Sequence, residues 1–295
     1  MSAQESTWIR EKTCMITGAN SGIGKAAAAG LAKMGAKIAM VCRDAGRGEE
    51  ARTEILRASG ARSEDVSLMI ADLASLESVR RLASEFLQTK QPLHVLMNNA
   101  GLILGKRTVT KDGLETTFEV NYLSHFLLTG LLLGTMKASA PSRIINVSSD
   151  AHTGGHIDFE DLQEEKSYGG LRSYSQSKLA QVLFTFELAK KLQGTGVTVN
   201  AVHPGVVATN WATRSAGLLS IGIKLAHPFM MGAEKGADTL VYLASSPEVA
   251  DVTGKYFTKR KAVPSSKDSM DEPDAKKLWD VSLKLAKLET DPTVT

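Results

Sequence analysis

The sequence predicts an α/β protein: a single domain built on one doubly wound parallel sheet. Three observations carry this. Short apolar runs alternate with segments of helical periodicity over most of the 295 residues. The runs are nearly continuous in apolar residues rather than alternating, as in strands covered on both faces. A glycine-rich turn joins the first run directly to the first helical segment. Strand and helix in regular succession give right-handed βαβ units, hence a parallel sheet flanked by helices.

In chain order, the apolar runs are 13–17, 37–42, 66–71, 94–97, 143–147 and 197–202. Between them, 24–34, 75–90 and 175–192 carry apolar residues at helical spacing. Leu179, Val182, Leu183, Phe186 and Ala189 follow the three-and-four step of one helix face. Residues 120–136 contain no Asp, Glu, Lys or Arg. That stretch is shorter than the ~20 apolar residues a spanning helix needs, and it includes Asn121, Ser124 and His125, so it reads as a buried helix. The alternation weakens after Gly205. An apolar, Gly-dotted segment covers 208–231, a helix is expected from about 233 to 244, a last strand at 254–257, and then a polar and basic tail. Neither a repeat nor a linker divides the chain. The expected organisation is a core over 12–205, a variable segment with the last strand over 206–257, and a tail over 258–295.

Composition bounds the function. Hydrophobic residues make up 43% and charged residues 23%, ordinary for a globular domain. With 35 basic and 32 acidic residues mixed along the chain, there is no electrostatic footprint for nucleic acid. Cys14 and Cys42 both lie in apolar runs, which suits two buried reduced thiols and a reducing, cytoplasmic setting. The first dozen residues are charged and lack an apolar targeting core, so neither a targeting nor a spanning segment is expected.

The first strand runs into Thr17-Gly18-Ala19-Asn20-Ser21-Gly22-Ile23-Gly24-Lys25. A strand, a glycine turn and a helix together seat a pyrophosphate. Glycines let the backbone approach the phosphates, and the helix amino end offers free N–H groups. The spacing is Gly-x-x-x-Gly-x-Gly, and Ala26 after Lys25 excludes the triphosphate loop ending. Which dinucleotide binds is read at the end of the second strand, Val41-Cys42-Arg43-Asp44. Arg43 there pairs with a ribose 2′-phosphate, so NADP(H) is favoured over NAD(H), with Lys25 and Arg47 adding positive charge. A shift of one residue in register would instead put Asp44 on the ribose.

Residues 17–24, Asp72-Leu73, Asn98-Asn99-Ala100-Gly101, Asn121, Ser149, Tyr174-x-x-x-Lys178 and Pro204-Gly205 stand in the order found in the short-chain dehydrogenase/reductases. The chain resembles that family from about 12 to 257. The strings 145–149, 174–180 and 201–205 look most like its retinol dehydrogenase-like branch, which is similar at 41–43 as well. The resemblance implies a Rossmann-type fold and a cofactor site made of Gly18, Asn20, Ser21, Gly22, Ile23, Gly24 and Arg43, continued by the following groups. Asp72 is implied to hold the adenine amino group, with Leu73 beside it. Asn99, Ala100 and Gly101 are implied to lie along the adenosine, and Pro204, Gly205, Val207 and Thr209 to flank the nicotinamide. Asn121 is implied to interrupt a helix and hold a water linking Lys178 to solvent.

Tyr174 and Lys178 are four residues apart, on one face of a helix. A phenol with a pKa near ~10 is a poor base at neutral pH. A neighbouring ammonium and an oxidised nicotinamide both favour the tyrosinate, so the phenol is expected to be acidified and to act as acid/base during hydride transfer. Lys178 also bonds the nicotinamide ribose in this scheme. Ser149 ends the fifth strand, where open sheets bind ligands, and can polarise the substrate oxygen. Ser148 is its rival, and the spacing to Tyr174 in the resembling branch favours Ser149.

Metal is not called for. His152 and His156 are separated by two glycines and lack a completing Cys or acidic cluster. The resemblance implies that the apolar run between Trp211 and Met231 is a lid over the substrate, and a lid so apolar favours a hydrophobic alcohol or carbonyl. Core packing is its alternative, and Arg214 and Lys224 flank it as they would in peripheral membrane contact. The helix around 126–133, apolar nearly all round, points to a deep core or to a partner in a homo-oligomer. The expectation is therefore an NADP(H)-dependent alcohol/carbonyl oxidoreductase. A non-catalytic dinucleotide sensor on the same fold, or a reductase of an activated C=C bond, are the alternatives.

Overall fold

A computed structural model describes residues 7–205 and 232–294. The expected lid and the expected nicotinamide neighbours Val207 and Thr209 lie outside these residues. Eight strands form one sheet: β1 Thr13–Thr17, β2 Lys37–Cys42, β3 Val66–Ile70, β4 Val95–Asn98, β5 Ser142–Val147, β6 Val197–His203, β7 Tyr256–Thr258 and β8 Lys261–Val263. Their order is β3-β2-β1-β4-β5-β6-β7-β8. All neighbours pair in parallel except β7 with β8. From β1 the chain winds outward through β2 and β3, then returns to build β4 on the other side. That reversal opens a crevice at the carboxyl ends of β1 and β4, the usual seat of a ligand in such sheets.

The helices are α1 Gly22–Lys33, α2 Ala45–Ser59, α3 Leu76–Gln88, α4 Thr116–Phe118, α5 Ser124–Ala138, α6 Gly170–Lys191, α7 Ala233–Ser245 and α8 Glu272–Leu285. On one face of the sheet, Ala28 and Leu31 of α1, Ile55 of α2 and Leu240 of α7 pack against Ile16, Met40 and Met97. On the other, Leu82 of α3, Leu127 of α5 and Leu183 of α6 pack against Met15, Leu96 and Ile144. The strands are buried on both sides, which is why they read as continuous apolar runs. Cys14 and Cys42 are buried and unbridged. Among the described residues there is no helix long and apolar enough to cross a membrane.

The segment after 258 is more than a tail. It holds β8 and the 14-residue α8, opened by Asp271, whose carboxylate accepts from Asp274 N at 2.9 Å. Ala275, Leu278, Trp279 and Ser282 face inward at helical spacing. Trp279 lies 5.0 Å from the Phe126 ring and 6.0 Å from that of Phe184. The Tyr122 and Ser282 hydroxyls are 2.7 Å apart. One flank of α5 is thus covered by the chain's own residues 272–285.

Candidate active site

The glycine turn is dictated by sterics. Gly18 and Gly22 have φ of +69° and +53°, where a side chain is strained. A Cβ on Gly24 would lie 2.5 Å from Gly18 O and from Asn99 Nδ2, so only glycine lets α1 start against the end of β4. Ser21 stands at the helix amino end without a side-chain cap, leaving the first N–H groups of α1 turned to the cleft.

Thr17, the last residue of β1, ties this turn to β4. Its hydroxyl accepts from Asn99 N at 2.9 Å and Ala100 N at 3.0 Å, and lies 2.9 Å from His125 Nε2. Asn99 Nδ2 donates to Thr17 O at 2.7 Å. The two strand ends that floor the crevice are therefore locked to each other and to α5.

At the end of β2, Arg43 is exposed, lines the cleft, and makes no hydrogen bond or ion pair among the described residues. Asp44 caps α2, its carboxylate accepting from Arg47 N at 2.8 Å. Lys25, read as a source of positive charge, is paired with Glu54. Asp72 accepts from Ala74 N at 3.0 Å and lines the same wall, beside Leu73.

Ser149, Tyr174 and Lys178 come together at the carboxyl edge of β5. The Ser149 side chain reaches the Tyr174 phenol and favours its ionised form. The neighbouring Ser148 hydroxyl donates to Lys178 O at 2.8 Å and is buried, which anchors α6. Lys178 Nζ stands 5.5 Å from the Tyr174 ring centroid. It donates to Val147 O at 2.8 Å and to Gln181 Oε1 at 2.9 Å.

Burial pushes the Lys178 amine down to about 7. It also pushes the Tyr174 phenol above its ordinary value, against the opposing pull of the Ser149 side chain. In the chain by itself desolvation outweighs the interaction with Ser149 that favours the tyrosinate.

Asn121 does interrupt a helix: a π turn at Glu119–Leu123 separates α4 from α5. Its side chain is fully buried and engaged. Oδ1 accepts from Leu102 N at 2.7 Å, and Nδ2 donates to Leu102 O at 2.9 Å and to Ser177 Oγ at 3.0 Å. The side chain clasps the loop after Gly101 to α6. Among the described residues the amide makes no direct hydrogen bond to Lys178.

Sequence reasoning passed over Gln181, Asp150 and Tyr256. The signal for Gln181 is a buried polar residue three places after Lys178 on the same helix. His203 ends β6, with Nε2 3.2 Å from Asp150 Oδ2, and Tyr256 Oη donates to Asp150 Oδ1 at 2.9 Å. His152 bridges Ser149 O and Ser266 N, so it is spent on backbone groups.

These parts line one cleft of about 1160 Å³ that runs from Gly18–Gly24 past Arg43, Asp72 and Asn99–Leu104 to Ser149, Tyr174, Lys178 and His203–Gly205. Its length and donors suit a dinucleotide: amide N–H groups at one end for phosphate, a buried amine and hydroxyl pair at the other. A Cβ on Gly101 would stand 3.5 Å from Lys178 Nζ and narrow the passage beside it. Fold and cleft together define a dinucleotide-binding oxidoreductase. Residues 12–217 match the short chain dehydrogenase family, and the chain belongs to it. It is 48% identical to retinol dehydrogenase 14 of Mus musculus, covering 92% of this chain and 84% of that one. It is 45% identical to retinol dehydrogenase 12 of Homo sapiens, with 93% and 86% covered. Among solved structures, an uncharacterised protein from Mycobacterium paratuberculosis superposes with TM-score 0.78 at 34% identity over 97% of this chain and 96% of that one. The Pseudomonas aeruginosa RhlG/NADP complex gives 0.69 at 25% identity, with 92% and 100% covered. The family binds NAD(H) or NADP(H).

Proposed function

We propose that this protein interconverts an apolar alcohol and its aldehyde or ketone with NADP(H), using Tyr174 as acid/base. The observation that carries the reading is the meeting of Ser149, Tyr174 and Lys178 at the carboxyl edge of β5, in the cleft that the glycine turn opens. A nicotinamide dinucleotide bound in the cleft supplies hydride to, or takes it from, the substrate carbon. The chain does the rest. Gly18–Gly24 and the amino end of α1 hold the pyrophosphate, and Asp72 takes the adenine end. Ser149 donates its hydroxyl proton in a hydrogen bond to the substrate oxygen. Tyr174 Oη gives that oxygen a proton during reduction and takes it back during oxidation. Lys178 orients the ribose and replenishes the phenol.

Arg43 supports NADP(H), because its guanidinium at the cleft wall has no partner among the described residues while Asp44 is occupied in capping α2. For the substrate, Leu102, Ile103, Leu104 and Leu171 line the cleft, and Leu171 is 59% exposed one helical turn before Tyr174. The names of the relatives place retinol, itself an apolar alcohol, in the same class. The test is NADPH oxidation with a panel of short, long-chain and retinoid aldehydes, repeated with Tyr174→Phe. Loss of ~100-fold or more in kcat is expected of a variant without its acid. Near-native turnover by folded Tyr174→Phe removes Tyr174 from the mechanism, and a product reduced at C=C instead of C=O overturns the reaction class.

A further inference from the structure

We propose that Gln181 is a positioning residue for Lys178: its amide aims the amine at the cleft and meets it in either protonation state. The proposal rests on the oxidoreductase reading above. Lys178 is 3% exposed and Gln181 1%. An ammonium carries three N–H donors. Val147 O and Gln181 Oε1 accept two of them, at 2.8 and 2.9 Å, which leaves the third for the cleft that Lys178 lines.

The other end of the Gln181 amide explains why the residue is Gln. Nε2 is buried with no hydrogen-bond partner among the described residues. An unpaired buried donor is unfavourable, and an ordinary core position would carry an apolar side chain. Turning the amide over does not relieve this while Lys178 is protonated, because Nε2 would then face a donor. When Lys178 gives up its proton, its nitrogen presents a lone pair, and the turned amide donates Nε2–H to it. Glutamine can do both; leucine does neither, and glutamate favours only the charged form.

The titratable groups facing Lys178 are few. From its own helix there is the Tyr174 phenol. From α5 there is His125, which burial holds neutral with a pKa of about 4. β5 offers the Val147 carbonyl. Burial brings the amine to about 7, so both forms are populated at neutral pH and both need a partner.

The test compares Gln181→Glu, Gln181→Leu and Gln181→Asn with the native full-length chain. The Lys178 titration midpoint is followed by side-chain NMR without cofactor, with the signal assigned by Lys178→Arg. The pH profile of kcat with NADPH and an aldehyde is measured alongside. The expected result is a midpoint raised by roughly one pH unit or more in Gln181→Glu and lowered in Gln181→Leu, with the acid-side limb of kcat moving in the same direction. If Gln181→Leu does not fold, a higher midpoint in Gln181→Glu than in Gln181→Asn supports the proposal. Equal midpoints in the folded variants overturn it. A native chain that turns over no alcohol or carbonyl while the midpoints move as stated overturns the oxidoreductase reading and leaves the Lys178–Gln181 coupling standing.

Discussion

His152 Nδ1 lies 2.8 Å from the Ser149 carbonyl oxygen, while its Nε2 accepts from Ser266 N at 3.1 Å. The two bonds fix one tautomer, with the proton on Nδ1, and tie the C-terminal segment to the residue that contacts Tyr174. Burial holds the ring below its usual pKa. Replacing it with Phe removes one hydrogen bond on each side and loosens the strand end. We expect kcat/KM to fall by ~3–10-fold per lost bond, with NADPH affinity unchanged, as read by steady-state kinetics and fluorescence titration.

Acid should destabilise the fold through its buried histidines. His94 accepts from Thr13 N at 3.1 Å, and burial lowers His94 and His125 to about 4 each. Unfolded histidine titrates near ~6.5. Below that pH the unfolded chain takes up protons that the folded chain refuses, so stability is full above about 6.5 and falls until about pH 4, by up to ~1.4 kcal/mol per pH unit for each ring. Lys178 adds no slope in this window, since it is charged in both states below about 7. Thermal unfolding between pH 7.5 and 4.5 should show Tm decreasing, with a shallower decrease in His94→Gln. A flat Tm profile contradicts this.

Arg43→Ala should cost NADPH affinity and leave NADH unaffected. A charge-assisted pair with a phosphate contributes about 1.5–3 kcal/mol, or ~10–100-fold in Kd. Asp44→Ala should instead lower stability by about 1 kcal/mol, because it removes a helix cap. Calorimetric titration with both cofactors separates the two effects. An unchanged NADPH/NADH ratio in Arg43→Ala ends the case for Arg43 as the 2′-phosphate ligand.

Trp279→Ala should destabilise the protein by about 3–5 kcal/mol, the usual range for deleting a buried Trp. The indole packs on Phe126 and Phe184 and donates Nε1–H to Asp291 Oδ2 at 3.1 Å. Denaturant unfolding measures the loss. Light scattering then tests whether the bared flank of α5 and α6 promotes association.

Much of this was legible in the sequence, for identifiable reasons. β1 and β2 fall on the expected residues because a strand covered on both faces must be apolar throughout. Ser149, Tyr174 and Lys178 meet because a strand end and one helix turn suffice to bring them together. Other features depend on tertiary context. Asp44 could be taken for a ribose ligand until α2 was seen to start on it. The amide of Asn121 is spent on Leu102 and Ser177, partners 19 and 56 residues away. The α8 signal was present in Ala275, Leu278, Trp279 and Ser282 at helical spacing, but charged residues between them disguised it as tail. Desolvation of Tyr174 depends on packing that no local pattern records.

The last helix lies against the one that bears the phenol. Chain growth delivers α6 to the solvent well before residues 272–285 have left the ribosome. Until they arrive, Phe126 and Phe184 lack the indole of Trp279 that packs on them. Maturation of the reactive centre therefore waits for residues 272–285, and stops placed between β8 and this helix should yield polypeptides that bind chaperones rather than coenzyme.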